Sequence, residues 1–252
     1  MTERPSDRLR ETYERRAELE YAEPPRPPDP RVDRKFERVW ELVSSHLPCD
    51  AFLDAGCGDG RHLAALARSP ARPSRVTGAD ISARILETAR AAAAALQPEL
   101  VQANLEALPL EDAAFDLALC TQVIEHLLDP AAGVRELARV LRPGGVLVLT
   151  TDNSRALVSK TLNAPRTAAV RVLRLHPRYK RVEFPHAEFT RAEVAALVNA
   201  TGLAVEHTET FRFTLARPLG RPTVQRVLNR IEKTLPPHGV GDLVAVVARK
   251  TT

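Results

Sequence analysis

Aromatic residues make up only 4% of the 252-residue sequence, which holds a single tryptophan and three cysteines. So few rings leave little surface for unpaired bases to stack on, which speaks against a nucleic-acid binder. Cys49, Cys57 and Cys120 are odd in number and lack metal-type pairing. They argue against a disulfide framework and for a reducing compartment, and no metal site is expected. No apolar run is long enough to span a bilayer. The opening Thr2-Glu3-Arg4-Pro5-Ser6-Asp7-Arg8 carries no leader-like apolar core, so a cytoplasmic location is the expectation. Lysine is scarce too, confined to Lys35, Lys160, Lys180, Lys233 and Lys250.

What is present is a globular composition, 44% hydrophobic and 27% charged, in a chain long enough for one full core with appendages. The net charge of +4 is unevenly spread. Between Ser154 and Pro185, eight basic residues from Arg155 to Arg181 stand against one acid, Glu183. A charged helix is expected from about Asp7 to Tyr21, with Tyr13 and Tyr21 placed to close over a ligand. The stretch Glu23-Pro24-Pro25-Arg26-Pro27-Pro28-Asp29-Pro30 cannot be helical. The spacing of Phe36, Val39, Trp40 and Val43 predicts a second helix from about Val32 to His46. Strands and helices then alternate, which predicts an α/β fold whose parallel sheet carries helices on both faces. The expected organisation is a helical cap with a Pro-rich link at 1–48 and a main domain at 49–252, with a basic helical lid inserted at 154–186. Thr190 and Glu193 read as a capping box, Gly202 as the end of that helix, and Leu243 to Ala248 as a buried last strand.

Chemistry concentrates in Phe52-Leu53-Asp54-Ala55-Gly56-Cys57-Gly58-Asp59-Gly60, a strand breaking into a turn that opens onto a helix at Arg61. The glycines allow positive φ and let a ligand lie against bare backbone, although a plain strand–helix turn would use them too. Such a turn suits a ligand ending in a carboxylate or phosphate. The spacing is Gly-x-Gly-x-Gly, not the Gly-x-Gly-x-x-Gly of dinucleotide sites, which disfavours a nicotinamide-dependent oxidoreductase. Asp54 would repel a pyrophosphate and attract an amino group. Asp80 follows the strand-like Arg75-Val76-Thr77-Gly78-Ala79. A carboxylate there can accept both ribose hydroxyls, and it can cap the helix that follows. A ligand with an amino-acid end and a ribose end would satisfy both aspartates.

From Ala51 to Asn153 the chain resembles the class I S-adenosylmethionine-dependent methyltransferases, of the type 11, small-molecule or quinone O-methyltransferase kind. The resemblance rests on five elements in order. They are Asp54 to Gly60; Asp80-Ile81-Ser82; Ala103-Asn104-Leu105-Glu106-Ala107-Leu108-Pro109-Leu110; Phe115 to Leu127, which contains Gln122-Val123-Ile124-Glu125-His126; and Val140-Leu141-Arg142-Pro143-Gly144-Gly145 before the strand Val146 to Thr150. The resemblance implies a Rossmann-like seven-stranded sheet, mostly parallel with an antiparallel last strand, and S-adenosyl-L-methionine as cofactor. It implies that Asp54, Gly56 and Gly58 hold the methionine end, Asp80 and Ile81 the ribose, and Asn104 with Leu105 the adenine. Gln122 would then line the reactive end, and His126 would face the acceptor as the catalytic residue. Asn104 departs from the aspartate common at that position, but its side-chain oxygen can still accept from the adenine amino group.

The acceptor implied is a small molecule and the reaction O-methylation, with His126 either a general base or a structural histidine. An RNA methyltransferase and a non-catalytic binder of the cofactor are the alternatives. Against the first, Thr121-Gln122-Val123-Ile124 replaces the Asn-Pro-Pro-aromatic segment of amino-group base methylases. The basic insertion at 154–186 either touches an anionic membrane surface or forms a solvated lid.

Overall fold

A computed structural model describes residues 5–20, 33–156, 186–212, 223, 226, 227, 229–231 and 241–251. Tyr21, the Pro-rich link and residues 157–185 of the expected basic lid lie outside the described residues. Two helices come first, α1 (Pro5–Glu20) and α2 (Arg34–Ser44). Asp33 caps α2, its side chain accepting from the Phe36 backbone N–H at 3.0 Å, so the helix begins two residues later than expected. The alternating part follows as β1 (Ala51–Ala55), α3 (Arg61–Ala67), β2 (Arg75–Asp80), α4 (Ala83–Ala92), β3 (Glu99–Gln102) and β4 (Phe115–Thr121). After a 3₁₀ turn at Ile124–His126 come α5 (Pro130–Val140), β5 (Leu141–Asp152), α6 (Arg191–Asn199), β6 (Leu203–Phe211) and β7 (Leu243–Lys250).

The seven strands form one sheet in the order β3-β2-β1-β4-β5-β7-β6. Strands β1 to β5 pair in parallel, while β7 runs antiparallel to both of its neighbours. Because side chains alternate across a strand, β1 and β4 supply two cores at once. Phe52, Leu117 and Leu119 point to a layer completed by Val39 of α2, Leu63 and Leu66 of α3 and Leu86 of α4. Leu53, Ala118 and Cys120 point to the other layer, with Val134 and Leu137 of α5 and Val194 of α6. Burial on both faces explains why these strands read as unbroken apolar runs.

Two local expectations are corrected. Ser82, not Asp80, caps α4, its side chain accepting from the Ile85 N–H at 3.2 Å, while Asp80 accepts from the Ser82 N–H at 3.0 Å. Strand β5 starts at Leu141, which pairs with Phe115; pairing resumes at Val146 with Leu117, so Arg142 to Gly145 form a bulge inside the strand. Strand β6 continues to Phe211, past an irregularity between Val205 and His207. The capping box at Thr190 and Glu193 is present. The three cysteines are free. Among the described residues no helix is long and apolar enough to cross a membrane.

Candidate functional site

The strand order reverses between β1 and β4, which opens a crevice at their carboxyl ends. The glycine turn fills its floor, pinned to β2 by two bonds, from the Gly56 and Cys57 N–H groups to the Ala79 carbonyl at 2.7 and 3.0 Å. Its glycines serve different needs. A Cβ on Gly56, at φ +80°, would overlap Val123 Cγ2, and one on Gly60 would lie 2.7 Å from the Ala89 Cα of α4. At Gly58 the nearest atom to an added Cβ is Ile85 Cδ1, 3.9 Å away. Gly56 and Gly60 are thus demanded by packing, and Gly58 leaves bare backbone beside open space.

Above the turn lies a cavity of about 340 Å³. Gly56, Gly58, Asp80 and Ile81 line it on the β1–β2 side, and Asn104 and Leu105 line it beyond β3. Gln122 and His126 line it after β4. Asp80 accepts from the Gly58 N–H through Oδ2 and from the Ser82 N–H through Oδ1, each at 3.0 Å. Each carboxylate oxygen keeps a lone pair for a further donor, as a pair of ribose hydroxyls requires. Burial raises the Asp80 carboxyl above its ordinary value, opposed by its backbone hydrogen bonds. Asn104 Oδ1 accepts from the Glu106 N–H at 3.0 Å, which fixes the side chain and leaves it one more acceptor position.

Asp54 is placed differently from the other expected residues. It lies beneath the turn, 1% exposed, and does not line the cavity. Its Oδ2 has no hydrogen-bond partner. Burial, then the charges of Asp80 and Asp59, push its carboxyl up to about 8.

Gln122 takes positive φ, 52°, unusual for a residue with a Cβ. The conformation lets its amide bridge two elements: Nε2 donates to Asp152 Oδ1 at 2.7 Å, and Oε1 accepts from the Lys35 ammonium. Glu125 is fully buried, with Oε2 accepting from the Thr151 hydroxyl at 2.9 Å and Oε1 unpartnered. Burial raises its carboxyl to about 7. The His126 ring stands edge-on to Tyr13 at 6.3 Å and 5.2 Å from the His186 ring, both measured between centroids.

Sequence reasoning missed several of the cavity residues. Lys35 of α2, His62 of α3 and Leu9 of α1 all line it, and Tyr13 joins them as expected. α1 is held there by Glu14, which accepts from the Ser82 hydroxyl at 3.0 Å and the Ala83 N–H at 2.7 Å. Arg84 pairs with Glu18 at 2.7 Å. A run of acids and bases on α1 was the visible signal, but its target on α4 was not.

This site fits an adenosyl amino-acid sulfonium. Bare backbone at Gly58 admits close approach, Asp80 has acceptors to spare, and the unpartnered Asp54 Oδ2 beneath the turn would gain from an ammonium group above it. Fold and site together define a nucleoside-binding α/β protein with its cavity at the sheet's switch point.

The family model described as methyltransferase domain matches residues 53–149. A ubiquinone biosynthesis O-methyltransferase of Xylella fastidiosa strain 9a5c is 31% identical over 204 residues, 79% of this chain and 79% of that protein. The solved S-adenosylmethionine dependent methyltransferase from Mesorhizobium loti is 23% identical, with a TM-score of 0.58 over 83% of this chain and 96% of that one. Geranyl diphosphate C-methyltransferase from Streptomyces coelicolor A3(2), solved with S-adenosyl-L-homocysteine, gives a TM-score of 0.56 at 18% identity over 85% of this chain and 76% of that one. The chain belongs to the class I S-adenosylmethionine-dependent methyltransferases. It spans 34% to 60% of the length of the first curated relatives it matches.

Proposed function

We propose that this chain transfers the methyl group of S-adenosylmethionine to an oxygen of a small-molecule acceptor. The observation that carries the reading is the placement of His126. It lines the cavity after β4, next to Gln122, and on the far side of the glycine turn in strand order from Asp80. The Xylella relative, similar over more than three-quarters of both chains, bears an O-methyltransferase name, which supports the choice of oxygen.

A bound sulfonium supplies a methyl carbon already activated for transfer, so the protein's part is to position, to exclude water and to take a proton. Asp80 with Ile81, and Asn104 with Leu105, hold the adenosine end. The glycine turn, over Asp54, takes the amino-acid end, and Gln122 borders the reacting centre. An imidazole nitrogen of His126 would accept the proton of the acceptor hydroxyl, leaving its oxygen free to take the methyl group. α1 and α2, within the cap at 1–48, cover the site against bulk water.

Purified protein with isotopically labelled donor and a metabolite extract should give a labelled methyl ether. His126→Ala should lower kcat about 100-fold or more while leaving S-adenosylhomocysteine affinity unchanged by calorimetry. Label found on nitrogen or carbon would refute the oxygen assignment, and full turnover by His126→Ala would remove the proposed base.

A further inference from the structure

We propose that Lys35 and His62 form a carboxylate-binding corner of the cavity, taking the α-carboxylate of the cofactor's amino-acid end. The inference rests on the cavity being the S-adenosylmethionine site. It gives the anionic end side-chain partners of positive or donor character, which the glycine and aspartate positions do not supply. Lys35 lies outside the residues that the family model matches.

Two contacts set α2 against the start of α3. Arg61 pairs with Asp33 at 3.7 Å, and the Phe36 ring stacks on the His62 ring at 5.2 Å and 15°. Lys35, between Asp33 and Phe36, is thereby held where it and His62 both line the cavity. The neighbouring cations have carboxylate partners: Arg61 has Asp59 at 3.3 Å as well as Asp33, and Arg212 has Asp242 at 3.9 Å. The Lys35 ammonium instead donates to the neutral amide of Gln122. Burial, with the charges of Arg212 and Arg61 outweighing those of Glu125 and Asp33, draws its pKa down to about 8, so a further anion beside it would be favoured.

His62 supplies a second, independent signal. It is 5% exposed, and its Nδ1 has no hydrogen-bond partner. Burial, then Lys35 and Arg61, hold the imidazole down at about 3, so it is neutral and one ring nitrogen carries a proton. A carboxylate has two oxygens to offer, one to the ammonium and one to an Nδ1–H. That pairing satisfies the buried nitrogen and gives Lys35 a charged partner.

Calorimetry with the full chain tests this using two probes, S-adenosylhomocysteine and methylthioadenosine, which share the adenosine and thioether but differ in the amino-acid end. Wild type binding both probes establishes the cofactor reading separately; wild type binding neither overturns that reading and this inference with it. Lys35→Met should weaken S-adenosylhomocysteine about 10-fold or more, leave methylthioadenosine unchanged, and be largely rescued in Lys35→Arg. His62→Phe, which keeps the ring against Phe36, should cost about 5-fold on the first probe only. Equal weakening of both probes, or no change in either, would overturn the assignment.

Discussion

Along the sheet edge, each residue of the cavity is fixed by the strand it ends: Asp80 by β2, Gln122 just after β4, and the glycine turn by β1 and its bonds to Ala79. α1 and α2 reach the same cavity through side chains, Glu14 and Glu18 gripping the start of α4, and Asp33 and Phe36 the start of α3. Moving the first set means breaking the sheet. Moving α1 means giving up a few hydrogen bonds and ion pairs, each worth about 1 kcal/mol net, whereas moving α2 would also uncover core residues such as Val39 and Val43. The sheet edge therefore supplies most of the affinity, while α1 supplies access. Ligand entry and exit are expected on the helical side.

Replacing Asp80 with Ala should have the largest effect. It removes the ribose acceptor and the partner of two backbone N–H groups, so S-adenosylhomocysteine affinity should fall about 100-fold, seen by calorimetry. A loss of only a few-fold would mean that the sheet edge does not dominate binding. Glu14→Ala attacks the other side. It strips a cap from α4 worth about 1 kcal/mol, and the release rate of S-adenosylhomocysteine in stopped flow should rise several-fold, with a smaller change in stability. Release at the wild-type rate would show that α1 does not gate the cavity.

The smallest effect concerns Asp54. Its folded pKa lies above its ordinary value of 3.8, at about 8. The folded state therefore holds a proton that the unfolded state has lost, and stability falls as pH rises through that window. Glu125 acts in the same sense between 4.5 and about 7. The melting temperature of Asp54→Asn should gain on that of wild type by a few degrees from about pH 5 to about pH 8, ligand-free. A constant difference across that range would show that Asp54 is not the buried acid described.

Most of the sheet edge was legible because its function is written in contiguous residues. A strand end, a glycine where a Cβ would collide and an acid two or three positions away all fall in one stretch. Asp80 ends a strand and Gln122 and His126 follow one, so placing those strands placed them, whereas Asn104 came from the family resemblance alone. Strand β3 escaped notice because it is four residues long and half-exposed on the sheet's outer edge, which leaves no apolar alternation to read. Lys35 and His62 were missed for a different reason. Each looks like an ordinary residue of an amphipathic helix, and only the docking of α2 on α3 reveals that they share a cavity. Ser82 displaced Asp80 as cap because Asp80 was already bound to backbone donors on both sides.

The position of β7 has a consequence for synthesis. It is the last described strand, yet it sits inside the sheet, between β5 and β6. Until residues 243–250 leave the ribosome, β5 presents an unpaired border and β6 has no neighbour to join. A nascent chain can assemble the nucleoside cradle early, but it carries an open, strongly apolar margin until residues 243–250 emerge, and chaperone capture should concentrate in that interval.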